Sequence, residues 1–195
     1  MFPATAMPDA EWWQQLWPDP GQVVADLGIP CRGEVVDLCC GDGLFTVPLA
    51  RVARRVYALD LDHALLAVAR ERLAAAGLTN CELVEGDAYE VGVIVRQPVD
   101  FILIANTFHG VPEKTRLVSC AVSIMKPNAA FAVVNWHRLP REQTVVLGEP
   151  RGPKTNMRME PAEVAAAAEP AGLHLSRVVE LPPYHYVAIF EKRNA

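Results

Sequence analysis

Apolar and polar residues follow two different spacings along this chain, and the spacing changes repeatedly. Short apolar runs bounded by Gly, Pro, Asp or Asn predict buried strands, whereas apolar residues three and four positions apart predict helices. The predicted strands cover residues 34–38, 55–60, 81–85, 100–105, 129–136, 173–181 and 184–192. The predicted helices cover residues 9–17, 44–53, 62–76, 112–125 and 161–171. Because Pro48 is tolerated only in a first helical turn, the second of these helices should begin near Phe45 or Thr46.

This alternation of strands and helices is typical of a mostly parallel sheet covered by helices on both faces. The last two strands are joined by too few residues for a helical crossover, so they are expected to pair antiparallel as a hairpin. We therefore predict an α/β fold, a doubly wound seven-stranded sheet in a single domain over residues 34–195. Residues 138–159 are expected to form a long loop between the fifth strand and the last helix.

The N-terminal segment, residues 1–33, precedes the first predicted strand and is rich in Pro and Trp. Its Trp13, Leu16 and Trp17 fall on one helical face and are expected to pack against apolar residues. The helix is then either an edge helix of the core or a lid over the open edge of the sheet. The prolines and the glycine within residues 18–21 are expected to form a stiff hinge beside it.

Charge and composition narrow the classes of partner and compartment. With 18 basic and 23 acidic residues the chain has a net charge of −5, so its surface offers no general attraction to nucleic acids. None of the five cysteines forms the C-x-x-C pair typical of a zinc site. Residues 1–20 lack the pattern of a secretory signal, and apolar runs stay well short of the ~18 residues of a membrane span. These observations predict a cytoplasmic monomer or homodimer with no membrane span and with reduced cysteines.

Ligands of open α/β sheets bind at the carboxyl ends of the strands, and acids follow three successive strands here. The first strand leads into DLCCGDG, in which Gly41 and Gly43 allow a tight turn and Asp37 suits a cationic group such as an α-ammonium. The second strand ends in Asp60, which is well placed to accept hydrogen bonds from two ribose hydroxyls. The third is followed by Asp87, which could accept a hydrogen bond from an exocyclic amine such as that of adenine.

These features resemble the class I S-adenosylmethionine-dependent methyltransferases over about residues 34–192. The family motif D/E-x-G-x-G-x-G corresponds to Asp37, Cys39, Gly41 and Gly43. Cys39 replaces the first glycine, as in the DxCCGxG sequence of the ubiquinone and menaquinone methyltransferase subgroup. The sequences FILIANTFHGV and IMKPNAAF are similar to the family's fourth-strand motif and to the turn before its fifth strand.

The resemblance implies S-adenosylmethionine as the cofactor and a strand order of 3-2-1-4-5-7-6. The residues it implies at the cofactor are Asp37, Cys39, Cys40, Gly41, Gly43, Asp60, Leu61, Asp87, Ala88, Ala105 and Asn106. The function it implies is in-line methyl transfer to a small-molecule acceptor, in which the protein mainly orients the nucleophile and excludes water.

The acceptor side of the site is expected at the ends of the fourth and fifth strands and in the final hairpin. Candidate general bases are His109, His137 and His185, because histidine titrates near neutral pH. Candidate acceptor-binding residues are Trp13, Trp17, Asn135, Trp136 and Tyr184. No carboxylate cluster follows the fourth and fifth strands, so no metal site is predicted.

Two other functions fit the same cofactor motif and stay open. A methyltransferase acting on a protein or RNA would need a basic docking face or an added domain. A nucleic-acid amino-methyltransferase would also carry D/N-P-P-Y/F after the fourth strand, where this chain has Ala105-Asn106-Thr107-Phe108. A non-catalytic S-adenosylmethionine-binding protein would bind the cofactor but turn over no acceptor.

Overall fold

A seven-stranded sheet forms the centre of the protein in a computed structural model, which describes residues 10–17, 19–29 and 32–192. Its strands are β1 (Glu34–Leu38), β2 (Arg55–Asp60), β3 (Cys81–Glu85), β4 (Val99–Ala105), β5 (Met125–Trp136), β6 (Leu173–Leu181) and β7 (His185–Lys192). The order across the sheet is 3-2-1-4-5-7-6. The first five strands pair parallel, and β7 pairs antiparallel with both β5 and β6. The predicted fold class and the strand order implied by the resemblance are therefore confirmed.

Helices cover both faces of this sheet. They are α1 (Ala10–Leu16), α2 (Pro20–Asp26), α3 (Thr46–Val52), α4 (His63–Ala75), α5 (Val91–Ile94), α6 (Lys114–Val122) and α7 (Pro161–Ala168). One buried cluster joins the sheet to α5, α6 and α7, and the other joins it to α1 through α4. The strongly apolar strand β4 contributes to both clusters, because successive side chains of a strand point to opposite faces.

Helix α2 corrects the prediction of a hinge in residues 18–21. Pro20 occupies the first turn of this helix, where its missing N–H is not needed. The Asp19 carboxylate caps the helix by accepting hydrogen bonds from the backbone N–H groups of Gly21 (2.9 Å) and Gln22 (3.3 Å). The proline and glycine thus begin a helix instead of forming a hinge, and Pro18 lies outside the described residues.

The segment of residues 138–159, predicted as a loop, contains a small hairpin in which Val145–Val146 pairs with Glu149–Pro150. Leu147 and Gly148, at the tip, both have positive φ (52° and 78°), as a two-residue type I′ turn requires. Leucine is a rare residue at that position, so the sequence carries no Asn-Gly or Asp-Gly signal for this turn. Smaller differences are the later start of α6, at Lys114, and the earlier start of β5, at Met125.

Candidate active site

A cavity of about 590 Å³ lies at the carboxyl edge of the sheet. Its sheet side is formed by the turn after β1 and by residues that follow β4. Its other walls come from α1, from the end of β5 and from the segment of residues 138–159. This is where ligands are expected in a doubly wound sheet.

The turn after β1 depends on backbone conformations that favour glycine. Gly41 and Gly43 have φ of 56° and 83°, and Cys39, with φ of 57°, adopts the same left-handed region. A Cβ at Gly43 would lie 3.0 Å from the Cβ of Ala69 on α4, so glycine is also needed there for helix packing. The Gly41 N–H donates to Oδ2 of Asp60 at 2.8 Å, which ties the turn to the end of β2.

Asp37 is a buried carboxylate beside this turn, with 2% of its surface exposed. Its Oδ2 accepts a hydrogen bond from the Thr46 hydroxyl at 2.6 Å. Burial raises the pKa of Asp37 to about 7; the negative charge of Asp60 also raises it, and the Thr46 hydrogen bond opposes the rise. No Lys or Arg in the described ranges forms a salt bridge with Asp37. A bound cation would relieve the cost of keeping this carboxylate ionised inside the protein.

The acids after β2 and β3 lie next along the same edge. Oδ1 of Asp60 accepts a hydrogen bond from the Asp62 N–H at 2.9 Å, and Oδ2 accepts the one from Gly41. Each carboxylate oxygen can accept a further hydrogen bond from a ligand. Asp87 accepts from the Tyr89 N–H at 3.0 Å and so caps a short 3₁₀ turn that contains the buried Ala88. Asp60, Leu61, Asp87 and Ala88 do not line the cavity described above, whereas Asp37, Cys39, Cys40 and Gly41 do.

Asn106 directly follows β4 and lines the cavity in a left-handed conformation, with φ of 57°. Its Oδ1 is buried and has no hydrogen-bond partner in the described part of the chain. Buried polar atoms are normally satisfied, so this oxygen is available to a donor on a ligand. Ala105, immediately before it, also lines the cavity.

Of the three predicted bases, His109 lies on the cavity. Its Nδ1 is 3.2 Å from Oδ1 of Asn135, which also accepts from the Trp136 N–H. Since that oxygen is an acceptor, Nδ1 carries the proton and Nε2 is left as the basic atom. Burial lowers the pKa of His109, and the hydrogen bond to Asn135 opposes this shift.

The other two predicted bases do not line the cavity. His137 directly follows β5, where it contacts Glu180 (2.8 Å) and Glu160 (3.4 Å) and packs on Tyr186. His185 is 1% exposed, and its ring nitrogens have no partner among the described residues. Its ring packs against Trp17 and Trp136, with centroids 4.6 and 4.0 Å away, and burial holds its pKa well below the usual range. These contacts hold both rings away from the cavity.

Aromatic side chains from α1 and from the end of β5 form one wall of the cavity. Trp12, Trp13 and Trp136 line the cavity, whereas Trp17 stacks behind Trp13 at 5.2 Å. Tyr184 stacks on Trp136 at 6.1 Å, and its hydroxyl donates to the Val145 carbonyl at 3.0 Å. Of the predicted acceptor-binding residues, Trp13 and Trp136 therefore reach the cavity, and Trp17, Asn135 and Tyr184 support those that do.

Helix α1 is both a part of the core and a wall of the cavity. Its Trp12, Trp13 and Leu16, together with the following Trp17, are each 4–6% exposed. The predicted face of Trp13, Leu16 and Trp17 is buried as expected. Trp12 is buried as well, because it packs on Trp136, with centroids 6.2 Å apart. This residue was missed by the sequence reasoning, since it lies outside the helical stripe.

The described residues form neither a metal site nor a membrane span. Among the described residues, no group of three or more His, Cys, Asp or Glu side chains could hold a metal ion. No helix in the described ranges is long and apolar enough to cross a membrane.

Comparisons with known proteins place this geometry in context. A family model described as a methyltransferase domain matches residues 35–128. A protein-L-isoaspartate O-methyltransferase from Halorhodospira halophila is 37% identical over 92 residues, which are 47% of this chain and 40% of that protein. A ubiquinone biosynthesis O-methyltransferase from Xylella fastidiosa is 31% identical over 162 residues, which are 77% of this chain and 65% of that protein. The chain thus spans less than two thirds of the length of either relative.

A crystal structure of a SAM-dependent methyltransferase from Aquifex aeolicus is similar over almost the whole chain. The TM-score is 0.78 at 25% identity, over 95% of this chain and 94% of that one. The architecture, including the closing antiparallel strands, is therefore shared along nearly the full length of both chains.

Proposed function

We propose that this chain is an S-adenosylmethionine-dependent methyltransferase that transfers the methyl group to a small-molecule acceptor. The observation that carries the proposal is Asp37, a buried carboxylate at the glycine turn with no basic partner among the described residues. Bound S-adenosylmethionine supplies an electrophilic methyl group on a positively charged sulfonium, and it carries a second cation in its α-ammonium group. A buried acid without a counter-ion fits such a cationic group.

Three further features fit the rest of the cofactor. The Asp60 carboxylate retains acceptor capacity for ribose hydroxyls beside the glycine turn that it holds in place. Asn106 offers an unsatisfied buried oxygen to a donor. Asp87 and Ala88 lie after the neighbouring strand β3, where an adenine amine would find an acceptor.

His109 is the residue we assign as general base for an acceptor that is protonated at the working pH. Asn135 holds Nδ1–H, so the imidazole can take a proton at Nε2. Burial lowers the pKa of His109, which keeps the ring neutral and able to act as a base at neutral pH. Trp12, Trp13 and Trp136 exclude water from the same cavity.

The form of the cavity supports a small acceptor. Helix α1 and the segment of residues 138–159 cover the carboxyl edge of the sheet and leave a cavity of about 590 Å³. An extended polymer would need an open basic surface, and the chain as a whole is acidic.

The test measures release of S-adenosylhomocysteine from S-adenosylmethionine with panels of phenols, quinols, amines and thiols, and in parallel with bulk RNA and unfolded protein. We expect turnover with a member of the small-molecule panels. Turnover with RNA or protein alone would contradict the assignment of a small acceptor but not that of a methyltransferase.

A binding measurement tests the role of Asp37 directly. Calorimetry should show that Asp37→Asn weakens binding of S-adenosylmethionine by at least about tenfold, since a charge-assisted contact contributes more than a neutral one. The matched control is Glu71→Gln, which removes an exposed acid from α4 and should leave the affinity unchanged. Equal affinities of wild type and Asp37→Asn would remove the main support for the proposal.

A further inference from the structure

Two arginines of the cavity wall, Arg141 and Arg151, have no acidic partner among the described residues. Several other arginines form salt bridges, among them Arg72 with Asp42 and Arg138 with Glu163, whereas the exposed Arg70 and the buried Arg158 form none among the described residues. Nε of Arg151 is in addition buried with no hydrogen-bond partner. Two uncompensated guanidinium groups on one cavity of an acidic protein indicate a binding site for an anion.

The backbone that carries these arginines is fixed by a third one, Arg158, which is fully buried. Its guanidinium donates to the carbonyls of Leu139 (2.9 Å), Arg151 (3.1 Å) and Pro153 (3.1 Å). Nε of Arg141 in turn donates to the Gly152 carbonyl at 3.1 Å. The segment therefore presents its two unpaired arginines from a backbone that is already ordered, which lowers the entropic cost of binding.

The wall beside these arginines is aromatic. Trp12, Trp13 and Trp136 line the same cavity as Arg141 and Arg151. These indoles pack on one another, with the centroids of Trp12 and Trp13 4.5 Å apart and those of Trp12 and Trp136 6.2 Å apart, so a planar aromatic group would contact the ring edges that they present to the cavity. A carboxylate on such a ring matches the planar fork of a guanidinium.

We propose that the acceptor of the methyl group is a small aromatic carboxylic acid, with its carboxylate bound by Arg141 and Arg151 and its ring against the indoles of Trp12, Trp13 and Trp136. The role of this acid as methyl acceptor rests on the proposed function. The binding of the acid in the cavity does not depend on it. The competing occupant of the arginines is the carboxylate of the methyl donor. The arginines lie in the segment of residues 138–159 that follows β5, and β5 is two strands away from β1, which carries Asp37. That separation favours the acceptor.

The test uses the three isomers of hydroxybenzoate as probes, with the three hydroxybenzamides as uncharged partners of the same shape. Affinities are measured by calorimetry on the full chain, with and without saturating S-adenosylhomocysteine. In wild type we expect at least one acid to bind ten or more times more tightly than its amide. Arg151→Gln and Arg141→Gln should each remove most of that preference and leave binding of the amide and of S-adenosylhomocysteine within about twofold. The control Arg70→Gln, an exposed arginine on α4, should change none of these values.

Three results would overturn the proposal. Acids and amides could bind equally or not at all, which shows that the cavity does not select an aromatic carboxylate. The arginine variants could weaken the binding of S-adenosylhomocysteine tenfold, which would assign the arginines to the methyl donor. Phenyl phosphate could bind more tightly than every hydroxybenzoate, which assigns the site to a phosphate ester. Failure of the proposed function has separate signatures, whatever the result with the acids: wild type would not bind S-adenosylhomocysteine, or it would turn over RNA or protein alone.

Discussion

Replacement of Asp37 by asparagine should make the protein more stable, and increasingly so as the pH rises. Because burial raises the pKa of Asp37 from 3.8 to about 7, its proton is retained in the fold over a range in which the unfolded chain has lost it. The stability associated with this group is fully present below about pH 3.8 and is lost as the pH rises through about 7. A shift of about three pKa units corresponds to about 4 kcal/mol of unfolding free energy at alkaline pH.

The magnitude can be measured as a difference between two proteins. From the same two pKa values, the free energy of unfolding of Asp37→Asn should exceed that of wild type by an amount that grows by about 2–3 kcal/mol between about pH 5 and pH 8. Urea unfolding followed by tryptophan fluorescence gives the free energy at each pH, since Trp12, Trp13, Trp17 and Trp136 are all buried. Groups that titrate in both proteins, such as Asp42 and His109, cancel in the difference.

A companion variant checks the assignment. Thr46→Val removes the hydrogen bond that lowers the pKa of Asp37, so the loss of stability with rising pH should become larger than in wild type. If the unfolding curves of wild type and Asp37→Asn stay parallel from pH 5 to pH 8, the carboxylate is ionised without penalty. The argument for an uncompensated buried acid is then refuted.

The remaining predictions concern the cofactor, the base, metal and the core. Asp60→Ala should weaken S-adenosylmethionine binding by about 1–3 kcal/mol, measured by calorimetry, because ribose hydroxyls lose a charged acceptor; unchanged affinity would remove Asp60 from the site. His109→Gln should lower kcat by roughly 10²–10⁴-fold with an acceptor that must lose a proton, and should abolish the acidic limb of the pH–rate profile; a limb that persists would assign the proton transfer to another group. Prolonged treatment with EDTA should leave turnover unchanged, since no metal site is formed by the described residues, and recovery on adding magnesium after a loss would contradict this. Trp17→Ala should lower the free energy of unfolding by about 3–5 kcal/mol, seen as a lower urea midpoint, because the ring is buried against Phe45 and His185; a change below about 1 kcal/mol would show that the helix is a loosely attached lid.

Much of the sheet could be predicted because its strands are short, strongly apolar and punctuated by Gly, Asp and Asn. The bounds of β1, β2 and β3 match the predicted residues 34–38, 55–60 and 81–85. The acids at the strand ends could be found for the same reason, since strand ends fix their position in a doubly wound sheet.

The acceptor side could not be predicted as well, because it depends on packing between distant segments. The alternation of side chains along β5 follows from its sequence, since Asn135 and Trp136 are neighbours in a strand and must point to opposite faces. Which of these two faces borders the cavity is decided by α1 and by the small hairpin, and neither could be placed from local sequence. Arg141 and Arg151 lie in the segment of residues 138–159, whose sequence has no helical or strand periodicity that would have indicated their position.

The two sides of the cavity differ in how they can change during evolution. The Asp37 and Asp60 side is built into strand ends that pair with neighbours on both sides, so a change there disturbs the register of the sheet. The other side consists of α1 and of the segment held together by Arg158, and both lie outside the seven-stranded sheet. Mutations in α1 or in the segment of residues 138–159 can therefore change the part of the cavity proposed to bind the acceptor, while the side with Asp37 and Asp60 stays the same. Diversification of acceptors at constant cofactor follows from this division of the chain.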